Sequence, residues 1–179
     1  TMNKPGRMNR LDAEIVDQLH AAWERFMTSD IDRVAVLAGN GRAFSAGADL
    51  NAIPHDLFRA IPGIGVPVDK PVVAAVQGWC IGGGMVLTTM CDLMVAADDA
   101  MFSYPEVKIG FSGGLIANLG TRIPHKIAME LLLTGEPITA QRAYEVGYVN
   151  KLVTASQVLE EAKAYALAIA QQAPLPSRM

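Results

Sequence analysis

Two kinds of hydrophobic pattern alternate along the chain and predict different elements. Residues 11–27 carry one apolar face at helical spacing, and Asp12 stands where a helix N-cap is expected. Residues 33–38 and 71–76 are short apolar runs of the kind that form buried strands. Further strands are predicted at residues 91–97, 100–104 and 148–153, and further helices at residues 85–90, 115–121, 126–134, 140–146 and 156–172. Strands and helices alternate in the first half and helices dominate the second, which predicts an α/β fold with a helical C-terminal part.

The order of these elements also predicts how the chain is organised. A unit of strand, glycine turn and helix recurs, which favours a repetitive spiral over a doubly wound sheet. No clear linker interrupts the chain, so we expect one domain over residues 1–179, with a spiral core at 1–125 and a helical part at 126–179. The first residues resemble the tail of a strand and the last helix ends without a packing partner, which predicts truncation at both ends.

One long segment, residues 51–69, lacks any regular pattern. It contains several prolines and glycines and predicts a surface excursion with one short helix near residues 55–60. Long irregular connections in compact domains often form lids or binding loops. The segment is therefore a candidate lid or binding loop, with no particular site residue assigned to it.

Two glycine-rich stretches follow the first two predicted strands. The first is residues 44–49, Phe-Ser-Ala-Gly-Ala-Asp, and the second contains Gly82-Gly83-Gly84. Small residues just past a strand let a ligand approach the backbone and leave peptide N–H groups unshielded. Two such turns can aim two N–H donors at one oxygen atom, as an oxyanion hole does.

Glu106 is the candidate for acid–base chemistry. It follows a short predicted strand and stands between Pro105 and Val107. A carboxylate in an apolar, partly desolvated setting has a raised pKa and can exchange protons near neutral pH. Two N–H donors and one such carboxylate suit the movement of a proton next to a carbonyl, because the donors hold the enolate oxygen.

Composition excludes several other classes of function. The chain has 179 residues, of which 51% are hydrophobic and 18% charged, as in a core-rich globular protein. A net charge of −3 and an aromatic content of 6% argue against a nucleic-acid partner. No apolar run reaches the roughly 18 residues of a membrane span, and the first residues do not resemble a signal peptide. The two cysteines read as reduced core residues of a cytoplasmic protein, and the three histidines lack the spacing of metal ligands.

Five segments together resemble the enoyl-CoA hydratase/isomerase (crotonase) family in order and spacing. They are residues 43–50, residues 70–78 with the triple glycine, residues 91–93, Pro105-Glu106 and residues 133–136. The resemblance implies a spiral of repeated β-β-α units, without the opening hairpin and closing helices of longer members. It implies an acyl-CoA substrate, with coenzyme A as part of that substrate and no metal or further cofactor. It also implies a homotrimer or a hexameric dimer of trimers.

The resemblance assigns roles to particular residues. It implies that the backbone N–H groups of Ala48 and Gly83 hold the thioester carbonyl, and that Glu106 is the catalytic glutamate. The substrate and CoA contacts that it implies are Arg7, Met8, Ala46, Gly47, Ala48, Asp49, Leu50, Gly82, Gly83, Val86 and Gly114.

Val86 departs from the family's pattern. Hydratases of the family usually carry a second glutamate at this position, and valine can neither accept nor donate a proton. A lysine that often follows the first oxyanion residue is replaced by Asn51. Three possibilities follow: weak hydration with a single base, isomerisation of a Δ3- to a Δ2-enoyl thioester, or acyl-CoA binding without catalysis.

A serine hydrolase is the competing class. Residues 110–114 match the G-x-S-x-G pattern with Ser112 as the nucleophile. That elbow requires a strand before it, followed in the chain by an acid and then a histidine. His125 is the only later histidine and no acid lies between it and Ser112, so the sequence disfavours this alternative.

Overall fold

The computed structural model describes residues 1–111 and 114–173. Helix α1 (Ala13–Thr28) begins where the pattern predicts, because the Asp12 side chain accepts a hydrogen bond of 3.0 Å from the Ile15 N–H. Its buried face consists of Ile15, Val16, Leu19, Trp23 and Phe26. The prediction of an amphipathic helix capped by Asp12 is confirmed.

Two four-stranded sheets form the centre of the described part of the chain. In chain order the strands are β1 (Ala35–Ala38), β2 (Ala43–Ser45), β3 (Val72–Val76), β4 (Trp79–Ile81), β5 (Leu93–Ala97), β6 (Met101–Ser103), β7 (Ile138–Thr139) and β8 (Lys151–Val153). One sheet has the order β1-β3-β5-β8 and the other β2-β4-β6-β7. All neighbours run parallel except β6 and β7, which are antiparallel.

The first six strands alternate between the two sheets, and this alternation makes the fold a spiral. Each of the first three turns of the chain places one strand in each sheet before a connection returns to the first sheet. Gly78 occupies one such corner with φ of 57°, where a β-carbon would lie 2.0 Å from the Arg42 carbonyl oxygen. The predicted spiral of β-β-α type is therefore confirmed.

The remaining helices pack against these sheets and against one another. They are α2 (Gly83–Thr89), α3 (Leu119–Arg122), α4 (His125–Thr134), α5 (Ala140–Glu145) and α6 (Val158–Ala170), with short 3-10 helices at Pro5–Arg7, Leu57–Ala60, Pro105–Ile109 and Leu115–Asn118. Helix α2 is buried along its whole length, and α6 packs across β1, β3 and β5. Both cysteines are free thiols buried in the core, as the sequence predicts. Across the described ranges, no helix is long and apolar enough to cross a membrane.

Several predicted boundaries were wrong, and three strands were missed. Strands β2, β4 and β7 have only two or three residues, and the first two lie inside stretches that read as glycine turns. The strand predicted at 148–153 begins later, because the N–H groups of Tyr148 and Val149 both donate to the Ala143 carbonyl and close helix α5. The helix predicted at 115–121 is divided into a 3-10 turn and α3.

Candidate active site

The first glycine turn is paired to the segment before α1. Leu11 donates its N–H to the Gly47 carbonyl at 2.8 Å, and Asp49 donates to the Leu11 carbonyl at 3.4 Å. In such a parallel bridge the flanking residues supply both bonds, so the N–H of Ala48 points away from Leu11. Among the described residues this N–H has no acceptor. The turn thus presents one unpaired backbone donor.

The second glycine turn begins helix α2. Gly82 has φ of 54° and ψ of −116°, a conformation that an L side chain rarely adopts. Its N–H donates to the Ser103 carbonyl at 2.9 Å, which fixes the turn to strand β6. Gly83 is the first residue of α2, and N–H groups in a first helical turn have no intrahelical acceptor. The Gly83 N–H finds no other acceptor within the described ranges.

The two turns touch, which brings both donors to one place. A β-carbon on Gly83 would lie 3.7 Å from the Ala48 nitrogen, and one on Gly47 would lie 3.3 Å from the Gly83 nitrogen. A β-carbon on Gly47 would also lie 2.8 Å from the Ile81 carbonyl oxygen, which is too close for any side chain. Two unpaired donors so placed can hold an oxygen atom that gains negative charge.

A buried polar pair anchors the first turn. The Ser45 hydroxyl donates to the Asn9 carbonyl at 2.9 Å and accepts the Gly47 N–H at 3.1 Å. The Asn9 amide in turn donates to the Asn40 carbonyl and to two carbonyls of β2. Both side chains are fully buried. Sequence analysis missed this support, since the residues it joins lie more than 30 positions apart.

Glu106 lies against the second turn. Its Oε1 atom would be 2.6 Å from a β-carbon on Gly82, so the absent side chain of Gly82 makes room for the carboxyl group. The Oε2 atom is buried and lacks a hydrogen-bond partner within the described part of the chain. Burial raises the pKa of the Glu106 carboxyl to about 7, because the charged form loses solvation. The group can therefore accept or donate a proton at neutral pH.

One cavity of about 850 Å³ contains these features. Its lining residues are Ala46, Gly47, Ala48, Leu50, Ile53, Pro54, His55, Leu57, Phe58, Ile81, Gly82, Gly83, Val86, Tyr104, Pro105, Glu106, Ile109, Phe111 and Leu115. The two donors and the carboxyl group thus share one space, and Val86 faces the same space from helix α2.

The structure brings most of the predicted site residues to this cavity but not all of them. Those that line it are Ala46, Gly47, Ala48, Leu50, Gly82, Gly83, Val86 and Glu106, and those that do not are Arg7, Met8, Asp49 and Gly114. Arg7 is exposed in the 3-10 helix Pro5–Arg7, and Met8 holds the first turn through its carbonyl, which accepts the Ala46 N–H at 2.8 Å.

Asp49 and Gly114 also lie apart from the cavity lining. The Asp49 carboxylate is buried and pairs with the Arg10 guanidinium at 3.1 Å, which supports the turn. Gly114 directly precedes the 3-10 helix Leu115–Asn118. The next residue, Leu115, lines the cavity, whereas Gly114 does not. Contact of these residues with coenzyme A stays a prediction.

Several lining residues were not predicted individually. The irregular segment at residues 51–69 supplies Ile53, His55 and Phe58 to the cavity wall. The segment after β6 supplies Ile109 and Phe111. The signal in the sequence was a set of large apolar residues inside irregular stretches, which have no core-directed periodicity of their own.

The serine-hydrolase pattern finds no support in its surroundings. Ser112 and Gly113 lie outside the described residues. The residues before them form the 3-10 helix Pro105–Ile109, whereas a nucleophile elbow requires a strand at this place.

Comparisons with known proteins agree on one family. A family model described as enoyl-CoA hydratase/isomerase matches residues 1–179. The (E)-benzylidenesuccinyl-CoA hydratase of Thauera aromatica is 37% identical over 98% of this chain and 73% of its own length. The 2,3-dehydroadipyl-CoA hydratase of Escherichia coli is 33% identical over 98% of this chain and 72% of its own. The crystal structure of an enoyl-CoA hydratase from Mycobacterium marinum superposes with a TM-score of 0.88 at 37% identity, over 98% of this chain and 73% of that one.

Proposed function

The chain belongs to the enoyl-CoA hydratase/isomerase family, and on that premise we propose that it binds an acyl-CoA thioester and stabilises its enolate. The Ala48 and Gly83 N–H groups hold the thioester oxygen, and Glu106 transfers the proton. One observation carries this proposal: two unpaired backbone donors and one buried, unpaired carboxyl oxygen line a single cavity.

The two donors act on charge that develops during the reaction. Removal of a proton from C2 of a thioester pushes an electron pair onto the carbonyl oxygen. Donors held by a bridged backbone turn and by the start of a helix stabilise that oxygen without reorganising, and each contributes roughly 10²–10³ in rate. The close approach of Gly47 to the Gly83 nitrogen keeps both donors in fixed positions.

Glu106 supplies the base and then the acid. Its carboxylate takes a proton from C2 of a 3-enoyl thioester, and the electron pair passes through C1 onto the oxygen, giving a dienolate. The same carboxyl group returns the proton to C4, and the carbonyl re-forms with a double bond between C2 and C3. No atom is gained or lost, so one carboxyl group suffices.

Val86 favours isomerisation over hydration within this scheme. Val86 lines the cavity at the position where a second carboxylate would stand, and Glu106 is the only acidic residue of the described lining. Addition of water across a double bond needs a group to activate the water and a group to protonate C2. Hydration by Glu106 alone is the second candidate, favoured by relatives that are named hydratases.

One experiment separates these reactions. A 2-enoyl-CoA and a 3-enoyl-CoA are each offered to the protein while the absorbance of the conjugated enoyl thioester is followed. Isomerisation predicts a gain with the 3-enoyl substrate, and hydration predicts a loss with the 2-enoyl substrate. Binding without change in either signal would identify a non-catalytic member.

Val86→Glu is expected to raise hydration of a 2-enoyl-CoA by at least tenfold. A carboxylate here restores the second acid–base group, and such groups contribute roughly 10²–10⁴. Steady-state kinetics on the variant measure the effect, with Val86→Gln as the matched control of the same size without the charge. Equal rates for the two variants would mean that a missing carboxylate does not limit hydration.

The pH dependence of turnover should reflect the ionisation of the Glu106 carboxyl group. Because the base form is needed and burial raises its pKa to about 7, kcat/KM is expected to rise with pH and level off above a midpoint near 7. A profile of kcat/KM between pH 5 and 9 measures this. A midpoint near 4.5, the ordinary glutamate value, would place the base outside the apolar cavity.

A further inference from the structure

A cluster of buried hydroxyl groups lies beside the first turn of helix α2, outside the cavity lining. The Tyr148 hydroxyl oxygen is 2.9 Å from Thr88 Oγ1 and 2.8 Å from Thr89 Oγ1. The hydroxyl groups of Thr88, Thr89 and Tyr148 also lie within hydrogen-bond distance of the Met85 carbonyl oxygen, at 3.0, 2.8 and 3.2 Å respectively. A carbonyl can only accept hydrogen bonds, so the protons of this hydroxyl cluster converge on the Met85 oxygen.

The Tyr148 hydroxyl group is held in place from outside helix α2. The Tyr148 N–H donates to the Ala143 carbonyl at 2.8 Å, and its ring packs edge to face on Phe102 of β6 with centroids 5.5 Å apart. Two residues later, the Asn150 side chain accepts the Met94 N–H at 2.8 Å, and the Asn150 N–H donates to the Met94 carbonyl at 2.9 Å. Helix α5 and strands β5 and β6 therefore fix the hydroxyl group relative to α2.

The need to satisfy buried polar groups does not explain this hydroxyl. The Thr88 and Thr89 hydroxyl groups already have an acceptor in their own helix, the Met85 carbonyl. A phenylalanine ring would fill the same space as Tyr148 without a polar group to desolvate. Burial raises the pKa of the Tyr148 hydroxyl well above its usual range, so the group keeps its proton and can donate it.

The Met85 carbonyl is linked to an oxyanion donor through two peptide units. It shares its peptide unit with the Val86 N–H, which donates to the Gly82 carbonyl at 3.0 Å. The Gly82 carbonyl shares its own peptide unit with the Gly83 N–H. These two peptide units form a hydrogen-bond relay from Met85 to Gly83. A conjugated peptide whose carbonyl accepts a hydrogen bond becomes a stronger donor at its N–H, by about 10–30% per bond.

The other donor, the Ala48 N–H, is polarised from a different part of the chain. The Gly47 carbonyl shares a peptide unit with this N–H and accepts a hydrogen bond of 2.8 Å from the Leu11 N–H. The Ser45 hydroxyl supports the same turn by accepting the Gly47 N–H. The hydroxyl cluster therefore acts on one donor of the pair and leaves the other as an internal reference.

We propose that Tyr148 is a positioning residue for the Gly83 donor: its hydroxyl group holds and polarises the Met85 carbonyl, and the relay passes that polarisation to the Gly83 N–H. This inference rests on the proposed function, in which that N–H holds the thioester oxygen. Apolar packing around α2 has no preferred direction, whereas hydrogen bonds do, so the cluster also fixes the rotation of the first helical turn.

Amide NMR of the ligand-free protein tests the relay directly. Tyr148→Phe keeps the ring, and with it the ring current, and removes only the hydroxyl group. The amide protons of Val86 and Gly83 should both move upfield, with the larger change at Val86, because the polarisation weakens along the relay. The Ala48 amide proton should stay in place.

Exchange of the C2 protons of octanoyl-CoA in D2O tests the consequence for catalysis, since this saturated thioester can form an enolate without hydration or isomerisation. A whole oxyanion donor contributes roughly 10²–10³ in rate, so weakening one donor in Tyr148→Phe should slow the exchange by about tenfold. The Kd from calorimetry should change little, because the thioester oxygen gains its charge only as the proton leaves. The calorimetric stoichiometry gives the binding-competent fraction, so any loss of folded protein is removed from the comparison.

Two further variants complete the test. Thr89→Val removes a second hydroxyl group of the cluster with little change in side-chain shape, and should move the same two amide protons in the same direction. Tyr165→Phe is the matched control, because it removes a hydroxyl group from a half-buried residue of α6 outside both the cluster and the cavity lining. It should leave the Val86 and Gly83 amide shifts and the exchange rate unchanged.

The outcomes separate this inference from the proposed function. Unmoved Val86 and Gly83 amide protons in Tyr148→Phe, or equal changes at Gly83 and Ala48, overturn the relay whatever the exchange rate. An unchanged exchange rate in Tyr148→Phe overturns the inference where the wild type catalyses exchange. The expected amide shifts without any exchange by the wild type uphold the relay and overturn the proposed enolate.

Discussion

Replacing Glu106 by glutamine is expected to lower kcat by roughly 10²–10⁴ while the affinity for an acyl-CoA changes little. Glutamine has nearly the same shape but cannot take a proton from C2. The carboxyl group lies beside Gly82 and is the only acidic group of the described cavity lining, so most binding surface is unchanged. Single-turnover kinetics and calorimetric binding of octanoyl-CoA measure the two effects separately. Retained turnover would remove Glu106 from the mechanism.

The same variant should change the pH dependence of stability. The fold raises the pKa of Glu106 from 4.5 to about 7, so the folded state favours the protonated form. The stability that this proton contributes is fully present below pH 4.5 and is lost as the pH rises through 7. Glu106→Gln should therefore be more stable than the wild type at pH 8, by about 1–2 kcal/mol after discounting for partial exposure, and not at pH 4. Urea unfolding at both pH values measures this.

Replacing Gly82 by alanine is the second change with a large expected effect. The new β-carbon would lie 2.6 Å from Glu106 Oε1, so the carboxyl group must move. A misplacement of about 1 Å can cost roughly 10² in rate, and we expect a loss of that order in kcat/KM. The positive φ of 54° adds strain of about 1–3 kcal/mol to the folded state.

Gly147→Ala is the control for that strain. Gly147 has φ of 81°, but a β-carbon there would meet no atom within 4 Å, and the residue does not line the cavity. This variant should lose comparable stability and keep its activity. Equal losses of kcat/KM in the two variants would show that strain, and not the position of Glu106, governs the rate.

Local signals in the sequence predicted much of the fold. The cap at Asp12 and the apolar face that follows identify α1, because both depend on neighbours within one helical turn. The glycine turns were visible because positive φ and close backbone approach require glycine at positions such as Gly47 and Gly82. Glu106 was visible as a lone acid in apolar surroundings.

Features that depend on distant contacts were not predictable in the same way. The anchoring of the first turn by Asn9 joins residues more than 30 positions apart, and no local pattern signals it. Phe58 and Phe111 line one cavity although they lie more than 50 positions apart in the sequence, Phe58 before the second glycine turn and Phe111 after it. The short strands β2 and β4 have too few residues to show an alternation.

Exchange of the C2 protons of octanoyl-CoA with D2O, followed by proton NMR, tests the central claim most directly, because it detects the enolate without requiring isomerisation or hydration. The wild type should catalyse this exchange, with a rate that rises with pH around 7, and Glu106→Gln should reduce it by at least 100-fold while binding persists. Exchange at the wild-type rate in the variant would contradict the role of Glu106. Bound octanoyl-CoA without exchange in the wild type would contradict the enolate itself.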